Sequence, residues 1–206
     1  MSDHSASAAA EVDQDRRGFL TFATVATGAV GVAFAAVPFI ASWSPSERTR
    51  AAGAPIEVDL SKLEPGQMVT YIYRKKPMYV VYRTPEMLKH IAGHEAKLKD
   101  PQSKDSEQPD YTRNATRAVR EQYLVVDGTC THLGCLPKPR FEAAIPELGS
   151  DWPGGFQCPC HGSRFDLAGR VFQGSPASTN LRIPDYSYRD DKTLLIGVPP
   201  ADKGVA

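Results

Sequence analysis

The sequence predicts a mainly β, antiparallel head with one helix, carried on a single N-terminal transmembrane helix. Three observations lead there: an uncharged apolar run from Gly18 to Ser42, a series of short β-branched and aromatic runs after Ile56, and two cysteine–histidine loops set among those runs. The chain has 206 residues, room for one ordinary domain plus an appendage. Lys and Arg total 24 and are matched by 24 Asp and Glu, so no net field argues for nucleic acid or an acidic partner.

The run GFLTFATVATGAVGVAFAAVPFIAS, residues 18–42, carries no ionisable side chain. About 20 apolar residues suffice for a helix to cross the hydrocarbon core. A buried core helix of this length would normally show a polar face, and none is present. Its small residues suit contacts between membrane helices, and Pro38 lies near one end, where a kink is tolerable. Upstream, Asp15-Arg16-Arg17-Gly18-Phe19-Leu20 resembles a twin-arginine export signal. The paired arginines place residues 1–17 in the cytoplasm and the bulk of the chain outside it. Ala33-Phe34-Ala35 has the spacing of a cleavage site but falls inside a run longer than a signal-peptide core, so a retained anchor is predicted. The head then lies in a periplasm-like compartment where disulfides persist. Residues 43–55, WSPSERTRAAGAP, have the composition of a flexible linker.

In the head, Met68–Tyr73 and Met78–Tyr82 read as an antiparallel pair joined through Arg74–Pro77. Thr84 is placed to cap a helix with Pro85 at its first position. That helix is expected to carry Met87, Ile91, His94 and Leu98 on one face. His90 and His94 are one turn apart on it, but Leu98 stands where a zinc-protease helix needs its second histidine, so they read as a satisfied or solvated pair. The polar stretch Lys99–Arg120 reads as a surface excursion. Further strands are expected at Gln122–Val126, near Arg182–Pro184, and at Thr193–Ile196.

The two loops, C-T-H-L-G-C from Cys130 to Cys135 and C-P-C-H-G-S from Cys158 to Ser163, hold all four cysteines and two of the five histidines. Cys130 with His132, and Cys158 with His161, offer thiolate and imidazole together, a donor set for zinc or iron. Cys135 and Cys160 are left over, one per loop, in what read as equivalent positions. Gly134 and Gly162 allow tight turns. Two ordinary disulfides, a structural zinc with Cys2His2 ligands, or a two-iron cluster with cysteines on one iron and histidines on the other all use these residues.

Together the loops resemble the Rieske [2Fe–2S] signature, in the version with an extra disulfide. The twin-arginine start, anchor, linker, the Gly53–Asp59 entry GAPIEVD and Asn180–Pro184 after the second loop are similar to the iron–sulfur subunits of quinol:cytochrome c oxidoreductases, the cytochrome bc complexes. The resemblance implies a Rieske-type antiparallel β head over 56–206 with an inserted cluster-binding subdomain within about 128–182. It implies one [2Fe–2S] cluster, with Cys130 and Cys158 on one iron, His132 and His161 on the other, and a Cys135–Cys160 disulfide. Imidazole in place of thiolate raises the potential above that of an all-cysteine cluster. Ser163 would donate to a bridging sulfide, Leu133 would shield the cluster, and Gly174–Ala177, with Pro176, would form the loop covering its third side. Ser178 stands where the family usually has a second proline, so a less stiff loop is expected. Phe165 stands where members of high potential carry tyrosine, so an intermediate potential is expected.

The function implied is that of the electron-transfer subunit of ubiquinol:cytochrome c reductase, one step of the reaction and not a complete enzyme alone. Ubiquinol bound to cytochrome b would hydrogen-bond His161, with His132 the second imidazole through which electron and proton uptake are coupled. The head would swing on residues 43–55 to a c-type cytochrome. Such complexes are expected to be homodimers of heterotrimers in the bacterial inner membrane with the head in the periplasm. The competing readings are the Rieske small subunit of a periplasmic molybdenum oxidase, such as arsenite oxidase, and a membrane-tethered zinc domain.

Overall fold

The computed structural model of the chain describes residues 13–201, so the expected cytoplasmic segment before Asp13 lies outside the described residues. The chain divides after Arg50 into two units. In the first, helix α1 (Gln14–Ser42) is capped by Asp13, whose carboxylate accepts the backbone N–H groups of Asp15 and Arg16 at 3.1 Å each. This cap starts the helix a turn before the apolar run and brings Arg16 and Arg17 into its first turn. The hydroxyls of Thr21, Thr24 and Thr27 each donate to a carbonyl one turn back at 2.8 Å, which leaves these polar side chains satisfied within the helix. No residue of α1 is buried, Phe34 being 78% exposed, and the helix is long and apolar enough to cross a membrane. A short helix α2 (Glu47–Ala52), with Glu47 paired to Arg50 at 2.8 Å, occupies the middle of the stretch read as a linker.

The head contains, in chain order, β1 (Ile56–Asp59), β2 (Met68–Tyr73), β3 (Lys76–Tyr82), α3 (Pro85–Lys89), β4 (Tyr123–Asp127), β5 (Lys138–Arg140), β6 (Gly155–Gln157), β7 (Arg164–Asp166), β8 (Tyr186–Tyr188) and β9 (Thr193–Ile196). They form three antiparallel sheets of three strands, in the orders β1-β9-β8, β2-β3-β4 and β5-β6-β7. In the second sheet Val80 of β3 faces Val69 on one side and Val125 on the other. Every residue of β4 is buried, which explains its unbroken apolar run YLVV. The β2–β3 connection is tighter than expected. Only Arg74 and Lys75 form the turn, at φ of 49° and 66°, and Pro77 lies inside β3. Pro77 is tolerated because the β4 ladder begins one residue later, at Met78 opposite Asp127.

Three expectations are corrected. The helix capped by Thr84, which accepts from Met87 N–H at 3.2 Å, stops at Lys89 and does not reach Leu98. His90 caps it, Gly93 at φ 90° bars its resumption, and a separate 3-10 turn, Glu95–Lys97, follows. His90 and His94 therefore share no helix face: a ring nitrogen of His90 contacts Pro153 O at 3.2 Å, while His94 turns inward. No strand forms at Arg182–Pro184, since Pro184 has no N–H to give a ladder; the pairing begins at Tyr186. The stretch 99–120 is not a surface excursion. Asp100, Ser103, Ser106, Thr112, Arg117 and Ala118 are buried, and the Arg117 guanidinium donates to Ala168 O at 3.0 Å and Leu181 O at 2.7 Å.

Candidate metal centre

The two loops leave the ends of β4 and β6, so the sheets carry them to one end of the head. Their backbones follow one pattern. Cys130 N–H donates to Cys135 O at 2.7 Å and Gly134 N–H to Cys130 O at 3.0 Å; Cys158 N–H donates to Ser163 O at 2.8 Å and Gly162 N–H to Cys158 O at 3.0 Å. Gly134 and Gly162 take φ of 83° and 75°, a left-handed conformation that a side chain would strain. This register corrects the expected equivalence of Cys135 and Cys160. The counterpart of Cys135 is Ser163, and Cys160 sits between the turn positions.

Cys135 and Cys160 form a disulfide across a separation of 25 residues, with Cα atoms 6.6 Å apart. Cys130 and Cys158 are free and buried. The rings of His132 and His161 stand edge to face, 4.8 Å between centroids and 88° between planes. His132 is half-buried and His161 exposed, and Leu133 between the two loops' donors is 71% exposed. The sulfur of Cys158 also lies within 4.8 Å of both disulfide sulfurs, but these are already spent on each other and offer no thiolate.

Burial pushes the Cys130 thiol up, and the neighbouring Cys158 adds to this, while the His132 backbone N–H and the Ser163 hydroxyl pull the other way. A cation bound at Cys130 would offset that burial. Two such sulfurs with two converging imidazoles make a donor set that fits iron or zinc, and fits a two-iron centre with unlike halves.

Around this set, Ser163 is fully buried and its Oγ accepts the Ala177 N–H at 3.0 Å. Phe165, also fully buried, pairs across β6–β7 with Phe156. In the Gly174–Ala177 loop, Pro176 is exposed while Ala177 is buried. Thr131 joins the first loop to the chain beyond Pro176, its hydroxyl donating to Thr179 O at 2.6 Å.

Behind the loops lies a polar network that sequence reasoning missed. Asp166, fully buried, accepts from Arg170 Nε at 2.7 Å, contacts His94 Nε2 at 3.2 Å, and accepts the backbone N–H groups of Ala168 and Arg170. Burial raises its carboxyl, but the His94 hydrogen bond and the Arg170 guanidinium win and hold it below the usual range. Arg83 and Arg117 are both pushed down to about 10 by burial; Arg83 donates only to backbone carbonyls, Leu167 O among them, while Arg117 donates to Ala168 O and, through Nε, to Gln108 Oε1 at 2.7 Å. The one available signal was the run of arginines at 113, 117 and 120 within a segment otherwise read as solvated.

Comparison with known proteins gives a consistent picture. Residues 6–46 match the family described as "Ubiquitinol-cytochrome C reductase Fe-S subunit TAT signal", and residues 89–187 match the "Rieske [2Fe-2S] domain". The chain is 54% identical to the ubiquinol-cytochrome c reductase iron-sulfur subunit of Allochromatium vinosum, over 95% of this chain and 93% of that one. It is 44% identical to the subunit of the same name from Bradyrhizobium diazoefficiens, over 88% of this chain and 94% of that one. Among solved structures, a chain of a hyperthermophilic respiratory Complex III is 23% identical, with a TM-score of 0.46, covering 84% of this chain and 98% of its own.

Proposed function

We propose, from the premise that this chain belongs to the iron–sulfur subunits of ubiquinol-cytochrome c reductase, that Cys130 and Cys158 hold one iron of its [2Fe–2S] cluster and His132 and His161 the other. The chain is an electron-transfer subunit of that oxidoreductase complex, anchored by α1. When bound, the cluster supplies a one-electron acceptor. The chain's own residues supply the rest. The exposed imidazole of His161 presents a ring nitrogen on which a quinol hydroxyl can bond and leave its proton, so that electron and proton depart together. Leu133, next to His132 in the chain, and Pro176 are exposed apolar side chains, and on this reading they keep the quinol contact apolar, which strengthens the hydrogen bond. The Cys135–Cys160 disulfide holds the two loops together and stabilises by roughly 3 kcal/mol.

The partners on this reading are cytochrome b, where ubiquinol binds, and a c-type cytochrome, reached by the head moving on residues 43–55. On this reading residues 56–206 form the head and lie in the periplasm, with α1 in the inner membrane of a bacterium; the export-signal match over residues 6–46 supports this. The complex is a homodimer of heterotrimers. The observation that carries the reading is the pair of perpendicular imidazoles, one exposed and one half-buried, from the same two loops that supply two buried free cysteines. Electron paramagnetic resonance on dithionite-reduced membranes, with and without a quinol-site inhibitor, tests it. A reduced Rieske signal whose shape changes with inhibitor is expected; a signal indifferent to inhibitor refutes the quinol contact, and zinc without signal refutes the cluster.

A further inference from the structure

Residues 97–99 run antiparallel to 171–173. Lys99 N–H donates to Val171 O at 3.0 Å, Gln173 N–H donates to Lys97 O at 2.8 Å, and Leu98 faces Phe172. From that fixed register the Lys99 side chain reaches over the Gly174–Ala177 loop. Its ammonium donates to Ser175 O at 2.6 Å and to Ala177 O at 2.7 Å. An ammonium has three donors and no acceptor, so one cation gathers two carbonyls that flank Pro176. The partners are carbonyls and not carboxylates, so the charge is not neutralised by this contact. The Ala177 peptide is thus gripped at its carbonyl, and the preceding N–H of the same residue donates to Ser163 Oγ at 3.0 Å. A hydroxyl has one proton. With its oxygen accepting from Ala177, Ser163 has that proton free to aim away from the loop, and Cys130 lies beside it.

We propose that Lys99 is a positioning residue for the metal centre: its ammonium fixes Ala177, the Ala177 N–H fixes the Ser163 hydroxyl, and the hydroxyl proton is thereby directed to the sulfur-lined side of the site. The proposal rests on the cluster assignment made above. A directed donor favours the reduced centre, which carries the extra negative charge. Lys99 lies in the segment 99–120, and its ammonium hydrogen-bonds the loop carbonyls and none of the four proposed ligands, so it acts through the loop.

The test is a redox titration, followed by electron paramagnetic resonance, of the full-length chain in its membrane complex. Wild type, Lys99→Met, Lys99→Arg, Ser163→Ala and the double variant Ser163→Ala/Lys99→Met are compared. Lys99→Met is expected to disfavour the reduced state by about tenfold, a fall of ~59 mV for a one-electron couple, and Lys99→Arg to restore most of it. In the Ser163→Ala background Lys99→Met is expected to add nothing, because the two lie on one path. A second readout does not depend on the centre: amide exchange at Ala177 is expected to quicken in Lys99→Met and not in Lys99→Arg. An unchanged potential in Lys99→Met overturns the proposal. So does a full shift that persists without Ser163, which would make Lys99 a plain surface charge. Were Lys99→Met to lose its iron, Lys99→Gln and Lys99→Arg would decide by the same two readouts. A wild type with no Rieske signal overturns the cluster assignment itself, a result that these variants cannot mimic.

Discussion

The imidazole of His132 stands perpendicular to that of His161, 4.8 Å away, and Cys130 and Cys158, one from each of the same two loops, are buried and free. On the proposed assignment, such a set holds iron only as a whole. His161→Ala is expected to lower the iron-to-protein ratio by about tenfold or more, since even indirect supports of a metal site cost ~10–100-fold. The fold is expected to persist, because the disulfide and strands do not involve that ring. His90→Ala serves as the control, with iron content unchanged. Metal analysis with circular dichroism checks both, and full iron in His161→Ala would exclude it as a ligand.

Cys135→Ser removes the link that closes the 25-residue separation. A loss of roughly 3 kcal/mol is expected from the chain-entropy estimate, read as a lower urea midpoint for the full chain. Reductant should move wild type towards the variant and leave the variant unmoved. A variant as stable as wild type would show that the paired turns hold the loops without it.

Phe165 is fully buried in β7. Phe165→Tyr adds a hydroxyl where burial obliges it to find a partner. If that partner is a ligand sulfur, the potential should rise by roughly tens of millivolts, a tenfold gain being ~59 mV. Redox titration of the pair decides, and an equal or lower potential would refute the intermediate-potential reading of Phe165.

Asp166 has a lowered folded pKa, so it contributes stability above the ordinary aspartate value of ~3.9, and that contribution is lost as pH falls through the folded value. Acid unfolding of the head should therefore be shallower in Asp166→Asn than in wild type. At neutral pH the variant leaves Arg170 and His94 facing no charge, at a cost of about 3–5 kcal/mol. Urea midpoints at neutral and acid pH give both numbers; parallel acid limbs would show that Asp166 titrates alike in both states.

The β2–β3 turn places Arg74 and Lys75 at positive φ without a glycine or asparagine. Lys75→Gly should relieve that strain and stabilise the head by about 1 kcal/mol. A lower unfolding midpoint in the variant would mean that the Lys75 side chain contributes more than its backbone costs.

The candidate site was legible as two loops because chemistry dictates residue types at close spacing: the Cys135–Cys160 link, the two free cysteines and the facing histidines all fall within C-T-H-L-G-C and C-P-C-H-G-S. The β2 and β3 runs and the Thr84-Pro85 helix start were legible for a similar reason, since each is a local pattern. What escaped was set by distant partners. Arg117 looks like any surface arginine until Ala168 and Leu181 supply carbonyls to it. Helix α3 looked long because Met87, Ile91 and Leu98 kept a helical spacing, although the helix ends at Lys89 and Gly93, at positive φ, keeps it from resuming. Strands β5, β6 and β7 are three residues each, too short to show alternation. The likeness of Cys135 to Ser163 exists only in backbone hydrogen bonds, which no residue name records.

Because each turn contributes one of the two free cysteines and one of the two facing histidines, neither turn alone offers a like pair of donors. The chain cannot load its centre in stages, turn by turn. Everything from β5 through β6 must already be folded back before the four side chains meet, so maturation is a late and all-or-none event. An export route that accepts only finished proteins, such as the one that residues 6–46 address, then acts as an inspection after assembly. On the proposed ligand set, the order of biogenesis is expected to run cofactor first and membrane second, a consequence of the spacing of two turns.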